Sequence, residues 1–485
     1  MNPASIANVF GALLLVTGGS MLLPIITALY FGDGDVNALA ISALIIMGIG
    51  FPLKRIFRNN DSLSIRDGLF IACFGWAIIS AFSTLPFIIH GDIPSFTDAF
   101  FEMMSGYTTT GATILPDIEA VPHGLLFWRS QTHLLGGMGF LTLTLIFLPH
   151  GVGGARIFKA ESSPGQVITG DRFMARNKDT MICLWGIYVV LNVLQTSLLC
   201  FGGMSLFDAL CHAFGTVSTS GYSTRNASIG AFDSSFIDWI TIIFMAAGGV
   251  TFVLFYQAVR GKWQSIWKNT EFRVYLGILF ILCLWTSLIL YKDGTYPNYA
   301  DALRYGTFQI VSILTTTGFT TANYITWPEA SQLLLVIACM IGACAGSTTS
   351  GIKVVHYVLI FKYMYVTIRK IFLQPMSVPC IRLNGTPVNA SVVDLAICYF
   401  IINIFLVLFG GMVLILSEDI SVTTAFSAIV ATLMNIGPGF DGVGPAENFA
   451  FFSSFAKWFL SWNMLVGRLE MFSALVIFYP AFWKE

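Results

Sequence analysis

Charge is what this sequence has least of. Asp, Glu, Lys and Arg make up 11% of its 485 residues, against roughly 25% in an ordinary soluble domain. Apolar side chains reach 56% and mean hydropathy is +0.77. That apolar excess is more than a water-facing surface can hide, which excludes an ordinary soluble enzyme and a disordered or fibrous chain. A concentrated basic face is also lacking: the formal net charge is -1, so nucleic acid is excluded as a partner. The nine cysteines (73, 183, 200, 211, 283, 339, 344, 380, 398) form no C-x-x-C pair and no zinc spacing, and sit mostly in apolar runs as small hydrophobes. The N-terminal MNPASIANVF has no charged region and no small-residue cleavage site, so it is expected to begin a retained span. The bilayer is the expected solvent.

Apolar runs long enough for the ~20 residues of a membrane helix fall at about 8–31, 36–53, 67–90, 125–149, 181–203, 234–257, 273–292, 331–369, 391–417 and 452–482. The linkers 54–66 (Lys54, Arg55, Arg58, Arg66), 150–180 (Arg156, Lys159, Arg172, Arg176, Lys178), 258–273 (Arg260, Lys262, Lys268, Arg273) and 362–382 (Lys362, Arg369, Lys370, Arg382), with Lys484, hold 18 of the 25 basic residues. If ten segments alternate, every basic linker lies on one side. The positive-inside rule then places both termini in the cytoplasm. The opposite linkers are acidic, with Asp33, Asp35, Asp92, Asp98, Glu102, Asp117, Glu119 and Asp208 among others. Such acids either concentrate cations or simply face water.

Four of these outer linkers are too long for turns and carry an apolar stretch too short to cross: 95–113, 206–224, 303–321 and 421–440. Each reads as a short helix followed by small residues ending at Gly111, Gly221, Gly318 or Gly437, glycines spaced by 110, 97 and 119 residues. One unit is therefore present four times. Thirteen residues before the glycine stand Asp98, Asp208 and Thr424, each followed by Ala, while the third copy departs with Tyr305 and Gly306. A helix of about 12 residues spans only ~18 Å, against ~30 Å of hydrocarbon, so it must enter and leave by one face. Irregular backbone at that depth is tolerated only where it is buried or lines a water-filled path. Thr109-Thr110-Gly111, Thr219-Ser220-Gly221, Thr316-Thr317-Gly318 and Asn435-Ile436-Gly437 are thus candidates to line a pore. Their carbonyls can replace the hydration shell of a monovalent cation, and glycine permits the backbone angles this needs. The negative C-terminal end of each short helix reinforces a cation preference.

These residues resemble the Trk/Ktr/HKT family of potassium transporters over nearly the whole chain. The resemblance implies an all-α integral membrane protein with four M1-P-M2 repeats (helix, re-entrant pore helix, helix) in pseudo-fourfold arrangement around one pore. The implied divisions are an N-terminal helix pair (1–65) and repeats at 66–180, 181–270, 271–385 and 386–485. It further implies K⁺ selectivity, since all four filters carry Gly where Na⁺-admitting members tend to have Ser in the first. The fourth filter departs from the others at Asn435, Ile436 and Pro438.

The run 331–369 would be ~58 Å as one helix, about twice the hydrocarbon thickness. Its middle, Gly342 to Gly351, has no large side chain and three glycines, so a break is expected there. Gly346-Ser347-Thr348-Thr349-Ser350-Gly351-Ile352-Lys353 is not a phosphate loop, because Ile352 separates the glycine from the lysine and the string lies inside an apolar span. The resemblance implies instead an intramembrane gate, with Ser350 in place of a common glycine making a stiffer hinge. Arg468, in the last span, costs on the order of 2.5–3.5 kcal/mol to insert, so it should face the bundle interior or water. Pairing with Glu470 is the structural alternative, although i,i+2 residues do not share a helix face. The resemblance implies that Arg468 lies beneath the filter near the gate, where it would repel resting ions. Lys353 has a similar reading, with snorkelling to the interface as its alternative. Arg129, His133 and His212 read as packed or pore-helix residues.

Passive, gated, K⁺-selective permeation is the leading function. One charge crossing 100 mV gains ~2.3 kcal/mol, enough for roughly fifty-fold accumulation at ~1.4 kcal/mol per decade. Symport of K⁺ with H⁺ or Na⁺ is the alternative, with Glu470 the main intramembrane carboxylate. An intramembrane hydrolase using Ser347 or Ser350 finds only His356 nearby and no metal motif, so no enzymatic activity is expected. No cofactor is expected to bind this chain, and K⁺ enters as the transported ion. The linker 150–180 is too short for a nucleotide-binding domain. The resemblance implies a cytosolic nucleotide-binding regulatory subunit of the TrkA type, a homodimer of pore subunits, and the inner (plasma) membrane of a bacterium.

Overall fold

The computed structural model describes residues 1–57, 63–139, 177–372 and 380–484. Arg58, Arg156, Lys159, Arg172, Arg176 and the 140–149 end of the fourth apolar run lie outside the described residues. Away from water a backbone must satisfy its own hydrogen bonds, and the apolar runs do so as helices. Among the described residues, six segments are long and apolar enough to cross a bilayer: Pro3–Phe31, Val36–Ile56, Ile65–His90, Met181–Phe201, Thr270–Asp293 and Ala390–Ser417. The first two form a hairpin that closes on small residues. A Cβ on Gly11 would stand 2.5 Å from Lys54 N and 2.8 Å from Gly50 O.

The rest of the chain repeats one plan of outer helix, pore helix and inner helix. The pore helices are Phe96–Tyr107, Leu206–Val217, Tyr299–Leu314 and Val422–Leu433. Ser95, Ser205 and Ser421 cap three of them by accepting from the amide three residues on, satisfying a donor that a helix N-terminus otherwise leaves open. The third helix has 16 residues where the others have 12. It begins after Asn298, one turn further from its glycine. That extra turn is why the third copy lacks the Asp-Ala register.

Ion pairs join neighbouring repeats. Arg304 on the third pore helix donates to Asp238 on the second inner helix at 2.6 Å, and Lys457 on the fourth inner helix donates to Asp98 on the first pore helix at 2.6 Å. The acids of the outer linkers accordingly do not all face water. Asp35, Glu102, Asp208 and Asp238 are buried, Asp35 and Glu102 completely.

The inner helices depart from the expected spans. They are His123–Gly137, Ser235–Gly248, Glu329–Met340 and Ser454–Arg468, and all four stop at the level of the filter, not only the third. The apolar runs 234–257 and 452–482 are therefore not continuous helices. Ser235–Gly248 meets Phe252–Val259 at a bend of 99°, and the last helix ends in Glu470 and Met471 with φ of 49° and 59°. The cause is close approach to the pore helices. A Cβ on Gly136 would stand 2.0 Å from Tyr107 O, and one on Gly467 1.9 Å from Leu433 O. The break expected in 331–369 is present, between Met340 and Val354.

Candidate functional site

Each pore helix hands over to its filter in the same way. The amide just before the glycine returns to the carbonyl five residues back: Thr110 to Ser105, Ser220 to Gly215, Thr317 to Ser312 and Ile436 to Ala431, at 2.8–2.9 Å. The residue before that amide is left-handed in every copy, with φ of 57° at Thr109, 56° at Thr219, 54° at Thr316 and 53° at Asn435. Threonine rarely adopts this region, so its three repetitions, with Asn435 in the same conformation, mark a backbone held by its surroundings.

The four glycines close a ring. A Cβ on Gly111 would stand 2.1 Å from Ser220 O, on Gly221 2.0 Å from Thr317 O, on Gly318 2.0 Å from Ile436 O, and on Gly437 2.7 Å from Thr110 O. Each glycine thus faces the carbonyl of the next repeat, and the fourth returns to the first. Only glycine leaves room, and φ between 81° and 97° at these positions suits it as well. A cavity of about 120 Å³ lined by all four glycines opens on the side away from the inner-helix ends.

The filter hydroxyls fall into two sets. Those of Thr110, Ser220 and Thr317 bond within their own segments, to Thr108 at 2.9 Å, Ser218 at 2.5 Å and Thr315 at 2.8 Å. Ile436 has no hydroxyl, and the fourth filter is tied differently: Asn435 Nδ2 donates to Thr110 Oγ1 at 2.7 Å and to Met464 O at 3.0 Å. Thr109, Thr219 and Thr316 reach the other way, toward the loop that interrupts the third inner helix. Ser350 N donates to Thr316 Oγ1 at 3.2 Å, and Thr219 Oγ1 lies 3.4 Å from Thr348 Oγ1.

That loop contains Gly342, Gly346, Ser347, Thr348, Thr349, Ser350, Gly351 and Lys353 and lies under the filter. The bend of the second inner helix supplies its dock: Cys344 N donates to Gly249 O at 3.0 Å, Phe252 N to Gly346 O at 3.1 Å, and Thr348 Oγ1 to Gly248 O at 3.1 Å. Gly346 and Gly351 turn the chain with φ of 72° and 78°. Within the loop, Ser347 Oγ donates to Cys344 O at 2.6 Å and meets Thr349 Oγ1 at 2.7 Å. His356 instead stacks on Tyr399, 4.8 Å between ring centres, and among the described residues it makes no hydrogen bond to Ser347 or Ser350.

Two cations meet the loop. Lys353 is 2% exposed and donates to Thr349 O and to Thr349 Oγ1, which replaces snorkelling with burial. Arg468 Nη1 donates to Thr348 O and Thr109 Oγ1, each at 3.1 Å, and lies 3.4 Å from Ser350 Oγ. Its Nη2 donates to Gly136 O at 2.6 Å and Gly137 O at 2.9 Å. One guanidinium therefore joins the first filter, the end of the first inner helix and the loop.

Glu271, which the sequence alone did not single out, accepts from Ala345 N at 2.6 Å and holds the far side of the loop. Arg129, His133 and His212 are all buried. Asp441, in the loop after the fourth filter, is held below the usual carboxylate range by the Ser421 and Thr424 hydroxyls. Among the described residues no group of three or more His, Cys, Asp or Glu is placed to hold a metal ion.

Comparison with known proteins gives the family and the fold. Residues 35–485 match the family described as "TrkH: Cation transport protein". The Trk system potassium uptake protein TrkH of Escherichia coli K12 is 36% identical over 490 residues, covering 100% of both chains. The Trk system potassium uptake protein TrkG of the same organism is 30% identical, covering 99% of this chain and 98% of its own. The crystal structure of the potassium transporter TrkH from Vibrio parahaemolyticus superposes with a TM-score of 0.89 at 33% identity, covering 100% of each chain.

Proposed function

Because the chain belongs to the TrkH family of cation transport proteins, we propose that it is the K⁺-translocating membrane subunit of a bacterial uptake system, conducting through one gated pore. The observation that carries this reading is the closed ring in which each filter glycine meets the carbonyl of the next repeat. Neutral carbonyl oxygens strip and hold a monovalent cation without trapping it, as a ring of carboxylates would trap it. Ions enter from the cavity lined by Gly111, Gly221, Gly318 and Gly437. They pass Thr109, Thr110, Thr219, Ser220, Thr316, Thr317, Asn435 and Ile436, and meet the loop from Gly342 to Lys353.

That loop is the gate, and Arg468 is its latch. A guanidinium under the filter repels a cation at rest, and its bonds to Thr348 and Thr109 must break or shift for the loop to move aside. Control by nucleotide arrives on a cytosolic subunit of the TrkA type, docking on the basic side that also carries both termini, and two pore subunits associate as a homodimer.

Purified chain reconstituted in liposomes tests the reading. Currents should reverse at the K⁺ equilibrium potential whatever the pH or Na⁺ gradient, and rise when the cytosolic subunit is added. Failure to carry K⁺ would overturn the proposal, and a reversal potential that follows pH or Na⁺ would replace it with symport.

A further inference from the structure

Nine residues before each filter glycine, a fully buried position stands behind the filter: Glu102, His212, Gln309 and Ala428. Three of these side chains brace the strand that leaves the filter. His212 Nε2 meets Ser223 Oγ at 2.8 Å, and Gln309 Nε2 donates to Ala322 O at 3.3 Å. At the alanine position the neighbouring Ser427 Oγ donates to Phe440 O at 2.9 Å.

Glu102 differs because it brings a partner. Its carboxylate accepts from Ile114 N at 2.9 Å, from Thr113 Oγ1 at 3.0 Å and from Arg129 Nε at 2.6 Å. Arg129 Nη1 in turn donates to Ser223 O at 3.1 Å, in the strand leaving the second filter. The guanidinium carbon lies 3.4 Å from the centre of the Tyr222 ring, and the Tyr222 hydroxyl donates to Glu102 O at 2.7 Å with Ala112 O at 3.3 Å. The pair therefore ties residues 112–114 of the first filter to 222–223 of the second, at relative exposures of 0% and 1%.

A buried ion pair is a weak stabiliser, since desolvating two charges cancels most of their attraction. What it supplies is geometry: a planar guanidinium with fixed donors holds its acceptors in one arrangement. A filter needs its carbonyls held to within about half an ångström to keep its first coordination layer in place.

We propose that Glu102 and Arg129 are positioning residues for ion discrimination, setting the carbonyls at the outer end of two adjacent filter strands through their shared bonds to Ile114 and Ser223. The inference rests on the reading of the chain as a K⁺ pathway and names residues that control its selectivity.

The test measures K⁺ and Na⁺ flux through the full chain in liposomes for Arg129→Lys, Glu102→Gln and the doubly neutral Glu102→Gln/Arg129→Gln. Lysine keeps the charge but cannot span Glu102 and Ser223 O with one planar fork. We expect the K⁺-over-Na⁺ ratio to fall by about tenfold, ~1.4 kcal/mol, in Arg129→Lys and in the double variant, while their melting temperatures stay near that of the parent. A folded Arg129→Lys or double variant with the parent ratio would overturn the inference. So would a series in which none of the three folds, because the pair would then serve stability alone. A parent chain that carries no K⁺ refutes the earlier reading; a K⁺-selective parent with unchanged variants refutes only this one.

Discussion

Asn435 of the fourth filter donates to the Thr110 hydroxyl of the first at 2.7 Å, fastening the last repeat to the first across 325 residues of chain. The same amide nitrogen also donates to Met464 O, so one side chain ties the fourth filter both to the first filter and to its own inner helix. Replacing Asn435 with Ala should leave a buried carbonyl and hydroxyl short of a donor, destabilising the protein by about 1–3 kcal/mol. The melting temperature in detergent should drop, and Na⁺ leak should rise in liposomes; an unchanged melt and leak would refute the link.

The glycine ring gives a graded expectation. Ala at Gly111, Gly221 or Gly318 would bring a methyl to 2.0–2.1 Å from a neighbouring carbonyl, whereas at Gly437 the gap is 2.7 Å. All four should lose K⁺ discrimination through overpacking, on the order of 1–3 kcal/mol, with Gly437→Ala the mildest. Flux ratios for the four single variants would check the order.

Arg468→Ala removes the group that joins Thr109, Gly136, Gly137 and Thr348. Flux without any cytosolic subunit should rise several-fold, about 1 kcal/mol of lost latching. Arg468→Lys should recover only part of the closed state, because an ammonium is a point donor and not a fork. Equal basal flux in all three proteins would exclude a latch.

Glu271→Ala should act from the opposite side of the gate by freeing Ala345 N. Raised basal flux with unchanged K⁺-over-Na⁺ ratio is expected, since Glu271 bonds the loop and not the filter. A lowered ratio would show that gate and filter are not mechanically separate.

Asp441 supplies a pH test. Its carboxyl is depressed by the hydroxyls of Ser421 and Thr424, so its contribution to stability is present above the ordinary carboxylate pKa of 3.8 and is lost as pH falls through the lower folded value. Asp441→Asn should therefore melt lower than the parent at pH 7, with the difference closing as the pH drops below about 4.

The fourfold unit could be read from sequence because a carbonyl filter demands particular residues: glycine and small side chains recur at Gly111, Gly221, Gly318 and Gly437 whatever surrounds them. The third copy's register could not, since a cap at Asn298 slides a helix start by one turn without disturbing the filter. Breaks in the other three inner helices were hidden because Gly136-Gly137, Gly248-Gly249 and Gly467 look apolar to hydropathy and follow their filter glycines at unequal distances. Glu102 reads as a water-facing acid in its linker, and only the fold brings it to Arg129, 27 residues away. Glu271 carries no motif at all. Its importance comes from Ala345, 74 residues distant.

The unequal positions behind the filter, Glu102, His212, Gln309 and Ala428, have a consequence for how such a pore can change over time. In a channel assembled from four identical chains, any substitution strikes every quadrant at once and its cost is multiplied fourfold. Here one codon alters one quarter of the ring. Ion preference can therefore drift by small steps, with three intact quadrants carrying the ion while the fourth is rewritten.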